Sequence, residues 1–255
     1  MKILTDIDKF REHKIKARDV FYIKLIDKSQ AYDFVKTYHY LKDAKFFSKF
    51  AYGLFYKHTD ELMGVATFSN PQGISTMKGW FNLDNQDQSV LELSRLAMLP
   101  SLNHTNATSY LLGNSIRLLK KEHIRAVITL ATSDRHVGSI YQVCNFKYYG
   151  LTDAKTDFFT EDGRVNPRGA TKGVRGVWIP RPRKHRYAFI IDKSLKCNYQ
   201  ECDRPKLNAV KKLECCNGTG MVYDKRFGVW YTCPRCIGHI ERIKKILQMN
   251  SLRNI

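Results

Sequence analysis

The chain has 255 residues, a formal net charge of +19 and seven cysteines. Its length suits one large domain, or one domain with a small appendage. No run approaches the ~18 apolar residues of a spanning helix, so no membrane partner is expected. Residues 1–10 show no continuous apolar segment of the secretory kind, so the expected setting is the cytoplasm, where thiols stay reduced. A chain this basic is expected to meet polyanions, with nucleic acid ahead of a membrane surface.

Residues 1–19 are charged and weakly patterned. Residues 20–26 (VFYIKLI) predict a strand. Residues 29–40 predict a helix with Ser29 as its cap and Ala31, Phe34, Val35 and Tyr38 on its buried side. It ends in Tyr38-His39-Tyr40-Leu41, followed by a basic, aromatic stretch through Phe50. Residues 51–56 and 62–68 predict an antiparallel pair around a turn at 57–61. Residues 69–73 read as a turn, and 74–89 as a polar connection without a predicted element.

Residues 90–150 form the centre of the chain. Residues 90–99 (VLELSRLAML) are an apolar strand that carries Glu92, Ser94 and Arg95. A polar turn leads into a helix over 106–122, with Leu112, Ile116 and Leu119 on one stripe and Thr105 or Asn106 as its cap. Residues 125–132 (RAVITLAT) predict a buried strand, 138–144 a short helix and 146–149 a further strand. A strand that feeds a helix N-terminus through a polar turn presents free amides and positive potential to an anion. Ser94 and Arg95 on the strand, and Asn106 and Thr108 at the helix start, are therefore the candidates for holding a phosphorylated cofactor. Side-chain alternation requires one of Ser94 and Arg95 to face the core.

Residues 163–187 contain no acidic residue. Gly and Pro punctuate this stretch, so much of it is expected to be loop. Arg168, Lys172, Arg175, Arg181, Arg183, Lys184 and Arg186 make it the candidate contact to the phosphates of double-stranded DNA. Residues 187–191 predict a last strand. Composition changes from 192 onward, which divides the chain into a domain at 1–191 and a cysteine-rich module at 192–255. Six cysteines fall between Cys197 and Cys236. Cys233 and Cys236 form a CxxC pair, and Cys216 precedes a Gly-rich turn, so these three are the expected ligands of a structural zinc. Cys215 is the entrant for the fourth position, with Cys197, Cys202 and His239 as rivals.

YHYL at 38–41, ELSRL within 91–99, the run from Ser133 to Tyr149 with GSIYQVCNF, and PRPRKHRY at 180–187 occur in this order. In these elements the chain, from about Val20 to Ile191, resembles the Mom family of phage DNA-modification proteins, within the broader acetyltransferase-like (GNAT) fold. The resemblance implies an α/β fold of the α+β kind, with a mixed, mostly antiparallel sheet splayed near its middle and flanked by helices. It implies a transferase that converts adenine in DNA to an N6-substituted form, the carbamoylmethyl (acetamido) derivative, and so protects phage DNA from restriction in the host cytoplasm. An acyl or glycyl-type donor is implied. The glycine-rich loop that binds coenzyme A pyrophosphate in typical GNAT enzymes is replaced at 100–109 by PSLNHTNATS, which has no glycine. A coenzyme A-linked donor is therefore not specified by the residues.

His39, Tyr40, Asp134 and Tyr141 are the candidate catalytic residues. An exocyclic amine needs a proton acceptor, which His39 or Asp134 offers. His39 and Asp134 are also suited to ligate iron or another metal, and Tyr141 stands where GNAT proteins place a phenol near the leaving group. Competing roles are a GNAT acyltransferase on a protein or small amine, and a non-catalytic zinc-containing DNA-binding protein. The basic run argues against the first and the polar constellation against the second. Each candidate also has a structural role open to it: helix capping for His39 and Asp134, core packing for Tyr141.

Overall fold

The computed structural model describes residues 6–39, 46–73, 76–84, 86–133, 136–160, 165–166, 171, 173–206, 221–224 and 229–232. The chain divides into two compact units. The first takes in residues 1–131, 137–150 and 185–207.

In chain order the first unit has α1 (Asp6–Arg11), α2 (Ala17–Val20), β1 (Phe21–Leu25), α3 (Lys28–Tyr38), β2 (Phe50–Tyr56) and β3 (Glu61–Ser69). It continues with α4 (Thr76–Phe81), β4 (Val90–Met98), α5 (Ala107–Lys121), β5 (Ala126–Thr132), α6 (Ser139–Val143) and β6 (Lys147–Leu151). β10 (Lys184–Ile190) completes a seven-stranded sheet in the order β1-β2-β3-β4-β5-β10-β6. β1 to β4 run antiparallel to their neighbours, whereas β4 and β5 are parallel. The fold is thus mixed α/β with a mostly antiparallel sheet. The parallel register covers only Val90, Leu91 and Glu92 against Ala126, Val127 and Ile128, so the sheet splays beyond that point.

Each face of this sheet is covered by apolar helix surfaces. Leu111, Leu112 and Leu119 of α5 pack on one face, in a core with Phe68, Leu91, Leu93 and Tyr187. Ala31, Phe34 and Val35 of α3 pack on the other, against Ala51, Val65 and Ala97. The segment over 74–89, for which no element is predicted, contains α4. Its Met77, Trp80 and Phe81 have helical spacing and bury against Val90, Ala126 and Ile128. So short a helix has little propensity signal of its own and is held by that tertiary burial. Among the described residues, no helix is long and apolar enough to cross a membrane.

The second unit comprises residues 132–136, 151–184 and 208–255. Its described strands are β7 (Lys155–Thr160), β8 (Val165–Asn166) and β9 (Gly176–Arg181), ordered β8-β7-β9, and a hairpin of β11 (Met221–Asp224) and β12 (Val229–Thr232). Of residues 163–187, expected to be loop in large part, 165–166, 176–181 and 184–187 lie in strands. Val177 and Ile179 of β9 alternate into a small core with Phe159, which is the period-2 burial of a strand. Pro180 is tolerated because β9 lies at the sheet's edge. The stretch from 152 to 184 begins and ends at two hydrogen bonds, from Thr152 N to the Lys184 carbonyl at 2.8 Å and from Lys184 N to Thr152 Oγ1 at 2.9 Å.

Two glycines differ in what holds them. Gly138 caps α6 at φ 72°, and a Cβ there would come within 2.7 Å of the Tyr187 ring and 2.8 Å of the Tyr141 ring. Gly113 sits inside α5 with nothing within 4 Å of its Cβ position. Gly138→Ala is expected to destabilise the protein by about 2 kcal/mol or more through strain and overpacking. Gly113→Ala is expected to stabilise it by about 0.5–1 kcal/mol through helix propensity. Denaturant unfolding of the two variants beside the wild type checks both signs.

Candidate functional site

The site is built by an irregularity in β4. Thr67 of β3 pairs with Arg95, but the next residue, Phe68, pairs with Leu93. Ser94 is the extra residue of a β-bulge. The burial pattern records its effect. Leu91 and Leu93 face the α5 core before the bulge, and Leu96 and Met98 after it. Glu92, Ser94, Arg95 and Ala97 consequently share the α3 face. The expectation that one of Ser94 and Arg95 must face the core is therefore corrected: the bulge breaks the alternation on which it rested.

A cavity of about 180 Å³ lies there. Its walls are Glu92, Ser94 and Arg95 of β4, Ser69 at the end of β3, and Phe46 and Phe47 from the segment after α3. The Ser69 and Ser94 hydroxyls are hydrogen-bonded at 2.6 Å. Gln72 N donates to the Glu92 carboxylate at 3.2 Å, and Arg95 donates to the Ser94 carbonyl at 2.7 Å. The Arg95 guanidinium lies over the Phe46 ring at 5.3 Å. Arg95 Nε and Thr67 Oγ1 are buried and have no hydrogen-bond partner among the described residues. Such groups cost free energy until an acceptor or donor reaches them.

His39 terminates α3, its amide donating to the Val35 carbonyl at 2.9 Å. It is buried, at 8% exposure. Burial first, and the Arg95 charge second, lower its pKa to about 4. The imidazole is thus neutral at physiological pH, the form that accepts a proton or ligates a metal. Tyr141 lies in the α5-side core, its ring 5.7 Å from Phe146 and 5.4 Å from Tyr187. The structure therefore groups His39 with Arg95 on one side of the sheet and places Tyr141 in the other layer. Tyr40 and Asp134 lie outside the described residues.

At the other end of the β4–α5 connection, Asn106 is the exposed N-cap of α5 and makes no side-chain cap bond. Thr105 Oγ1 instead accepts from Ala107 N at 3.3 Å. A cavity of about 320 Å³ at this end is lined by Lys16, Arg18, Asn106, Ser109, Tyr110 and Arg117, among others. Three cations and the α5 amides make it electropositive. Thr108 is half-buried in the first turn.

Of the basic candidates, Arg168 and Lys172 lie outside the described residues. Arg175 is exposed. Arg181 pairs with Asp157 at 3.2 Å, and Arg183 donates to the carbonyls of Leu151 and Thr152. Lys184 is half-buried, and its amide donates to Thr152 Oγ1. The Arg186 guanidinium sits over the Tyr199 ring at 4.2 Å. Three guanidinium groups expected to serve phosphates thus have contacts within the chain.

The zinc candidates Cys215, Cys216, Cys233 and Cys236, and His239, lie outside the described residues. Cys197 packs in the aromatic cluster of Trp80, Tyr149 and Tyr199, and burial raises its thiol pKa. That environment favours a neutral thiol over a ligand thiolate. Among the described residues, no group of three or more His, Cys, Asp or Glu is placed to hold a metal.

The Mom protein family model matches residues 20–207. The chain belongs to the Mom family. No curated protein matches this Mom family chain in sequence. Among solved structures it is similar to the ribosomal-protein-S18-alanine N-acetyltransferase from Escherichia coli, with 11% identity, 68% of this chain and 94% of that chain covered, and a TM-score of 0.43. It is also similar to a Bacillus subtilis acetyltransferase in complex with CoA, with 18% identity, coverages of 67% and 99%, and a TM-score of 0.40. A GNAT family acetyltransferase from Elizabethkingia anophelis with acetyl-CoA bound has 16% identity, coverages of 68% and 99%, and a TM-score of 0.41. Likeness this distant transfers neither ligand nor substrate to the Mom family chain.

Glu92, Thr67, Ser69, Phe46 and Phe47 were not among the sequence-derived site residues. Glu92 shows in the sequence as a polar residue inside an apolar strand, and Phe46 and Phe47 as part of the basic, aromatic stretch after the first helix, but the bulge that unites them is a pairing event between strands.

The lowered pKa of His39 makes stability depend on pH. A histidine neutral in the folded state and protonated when unfolded contributes fully above its ordinary value of about 6.5, and its contribution is lost as pH falls towards 4. His39→Gln should therefore lose less stability than the wild type between pH 6.5 and 4, the difference reaching up to ~3 kcal/mol. Denaturant unfolding across that range measures it; parallel curves would mean that His39 titrates normally.

Proposed function

We propose that this Mom family protein is a transferase that modifies the exocyclic N6 amine of adenine in DNA, forming an N6-substituted adenine of the carbamoylmethyl type and protecting that DNA from restriction. The observation that carries this reading is the family match over residues 20–207. The polar cavity at the β4 bulge supports it. The net charge of +19 favours a polyanionic substrate over a small amine.

The amine lone pair of adenine is delocalised into the ring, so reaction demands close positioning and a proton acceptor. Bond formation to N6 releases one proton, and His39 and Glu92 are the groups on the α3 face that accept one. Arg95 contributes a fixed positive charge beside them, which stabilises negative charge that develops on the transferred group. Tyr40, Asp134 and Tyr141 remain candidates from the family resemblance, and iron held by His39 and Asp134 belongs to the same proposal.

The residues at the start of α5 fit an anionic donor, as a coenzyme A-linked acyl or glycyl group would be. Lys16, Arg18 and Arg117 would neutralise its phosphates, and Asn106 and the α5 amides would orient it, with Thr108 of the first turn a further candidate from the sequence. When bound, such a donor would supply the carbon that bonds to N6, the methylene carbon in the carbamoylmethyl product, its carrier departing as N6 loses its proton.

Mass spectrometry of nucleosides from the DNA of expressing cells tests the reading. The wild type is expected to yield an N6-substituted deoxyadenosine, and His39→Gln and Glu92→Gln to reduce it roughly 10²-fold or more while circular dichroism stays unchanged. Unmodified DNA from wild-type cells, or full modification by both variants, overturns the assignment.

A structural zinc in the cysteine-rich module is a separate part of the proposal and rests on sequence spacing. Elemental analysis should find one zinc per chain, and Cys236→Ser should release it. Metal-free folded protein with titratable tail thiols would count against it.

A further inference from the structure

The cavity at the β4 bulge is small. Its volume of about 180 Å³ lies below the ~300–1,000 Å³ of sites for drug-sized ligands, so it suits one compact planar group and not a whole cofactor. Its walls offer both senses of hydrogen bond. The Glu92 carboxylate accepts, Arg95 donates, and the linked Ser69 and Ser94 hydroxyls do either. Arg95 Nε is buried without a hydrogen-bond partner among the described residues, so the site holds a donor that its own walls leave unused.

Two aromatic side chains stand at this cavity and differ in their employment. Phe46 is stacked on Tyr32 at 5.7 Å and lies beneath the Arg95 guanidinium. Phe47 is 75% exposed. A large apolar ring held in water beside a polar cavity contributes little to the core and offers a flat surface to a ligand.

We propose that this cavity receives a single adenine base turned out of DNA, with the Phe47 ring stacked on the face of the base and Glu92 and Arg95 meeting its edge. The proposal rests on the transferase reading above and names where its substrate sits. The chemistry of the edge is complementary. The adenine N6 amine donates to a carboxylate, and the ring nitrogens accept from a guanidinium N–H. Guanine and thymine present a carbonyl oxygen where adenine and cytosine present the amine, and that oxygen would face the Glu92 carboxylate. Stacking then favours adenine, whose two-ring face covers more of Phe47 than the single ring of cytosine does. An enzyme acting on N6 must in any case bring the base out of the stack, because the amine is paired in duplex DNA.

Phe47→Trp places a fluorophore at the cavity, and the exposure of Phe47 means that both this variant and Phe47→Ala should keep the wild-type melting temperature. The emission added by Phe47→Trp is titrated with oligo-dA, oligo-dT and free adenosine. Quenching by oligo-dA at about ten-fold lower concentration than by oligo-dT, with free adenosine weaker than oligo-dA, is expected. Adding Glu92→Gln should erase the preference between the two oligonucleotides. In expressing cells, Phe47→Ala should lower the modified-adenine fraction about ten-fold and Phe47→Trp should restore it. Equal quenching by oligo-dA and oligo-dT, stronger quenching by free adenosine, or wild-type modification by Phe47→Ala overturns the proposal. If wild-type cells contain no modified adenine, the transferase reading falls, and the base receptor is judged on the quenching preference alone.

Discussion

One unpaired residue in a strand, Ser94, determines what the first unit can do. A regular β4 would alternate its side chains, sending either Ser94 or Arg95 into the apolar core. A buried guanidinium there would face Leu111 and Leu112 without a partner, at a cost of several kcal/mol. The bulge relieves that conflict by turning both residues to the α3 face. The same step keeps Leu91, Leu93, Leu96 and Met98 on the α5 face, so the core loses no apolar residue. The register shift thus brings the Arg95 cation to the face that ordinary alternation already gives the Glu92 carboxylate, and the cavity lies between them.

His39 shows how the site is electrostatically tuned. A histidine at a helix C-terminus is ordinarily favoured in its charged form, because the helix dipole is negative there. Here burial and Arg95 outweigh that contribution and hold the ring neutral. Arg95 thus acts on its neighbour as well as on whatever enters the cavity. The reverse influence holds too: a charged imidazole beside Arg95 would raise the cost of both groups, so one cation on this face disfavours the other.

Much of the fold was legible in the sequence because its signals are local. The strands over 20–26, 90–99 and 125–132 and the helix over 106–122 are found within a residue or two of their predicted limits. The apolar or β-branched run of a strand and the 3.6-residue stripe of a helix are properties of each segment by itself. Three things were not legible. α4 is too short for periodicity to show, and becomes a helix because Trp80 and Phe81 find a surface to cover. The strands within 163–187 were hidden by Gly and Pro that belong to an edge strand and its turns. The site residues were only half visible: His39, Ser94 and Arg95 carried chemistry that a reader of sequence can notice. Phe47, Ser69 and Glu92 acquire a role through the Arg95 that a register shift between β3 and β4 turns toward them.

The excursion between β6 and β10 has a consequence for how such a chain changes over time. β6 and β10 are neighbours in the sheet, and the path between them begins and ends at the two Thr152–Lys184 hydrogen bonds. In topological terms residues 153–183 are an insertion between two neighbouring strands. A two- or three-residue turn could join the same strands without rethreading any other. The excursion is therefore an accessory on a closed circuit: it can be lengthened, exchanged or lost while the register of the seven strands, and the pocket at β4, stay as they are. Whatever residues 153–183 touch can diversify while the strands that build the β4 pocket keep their register.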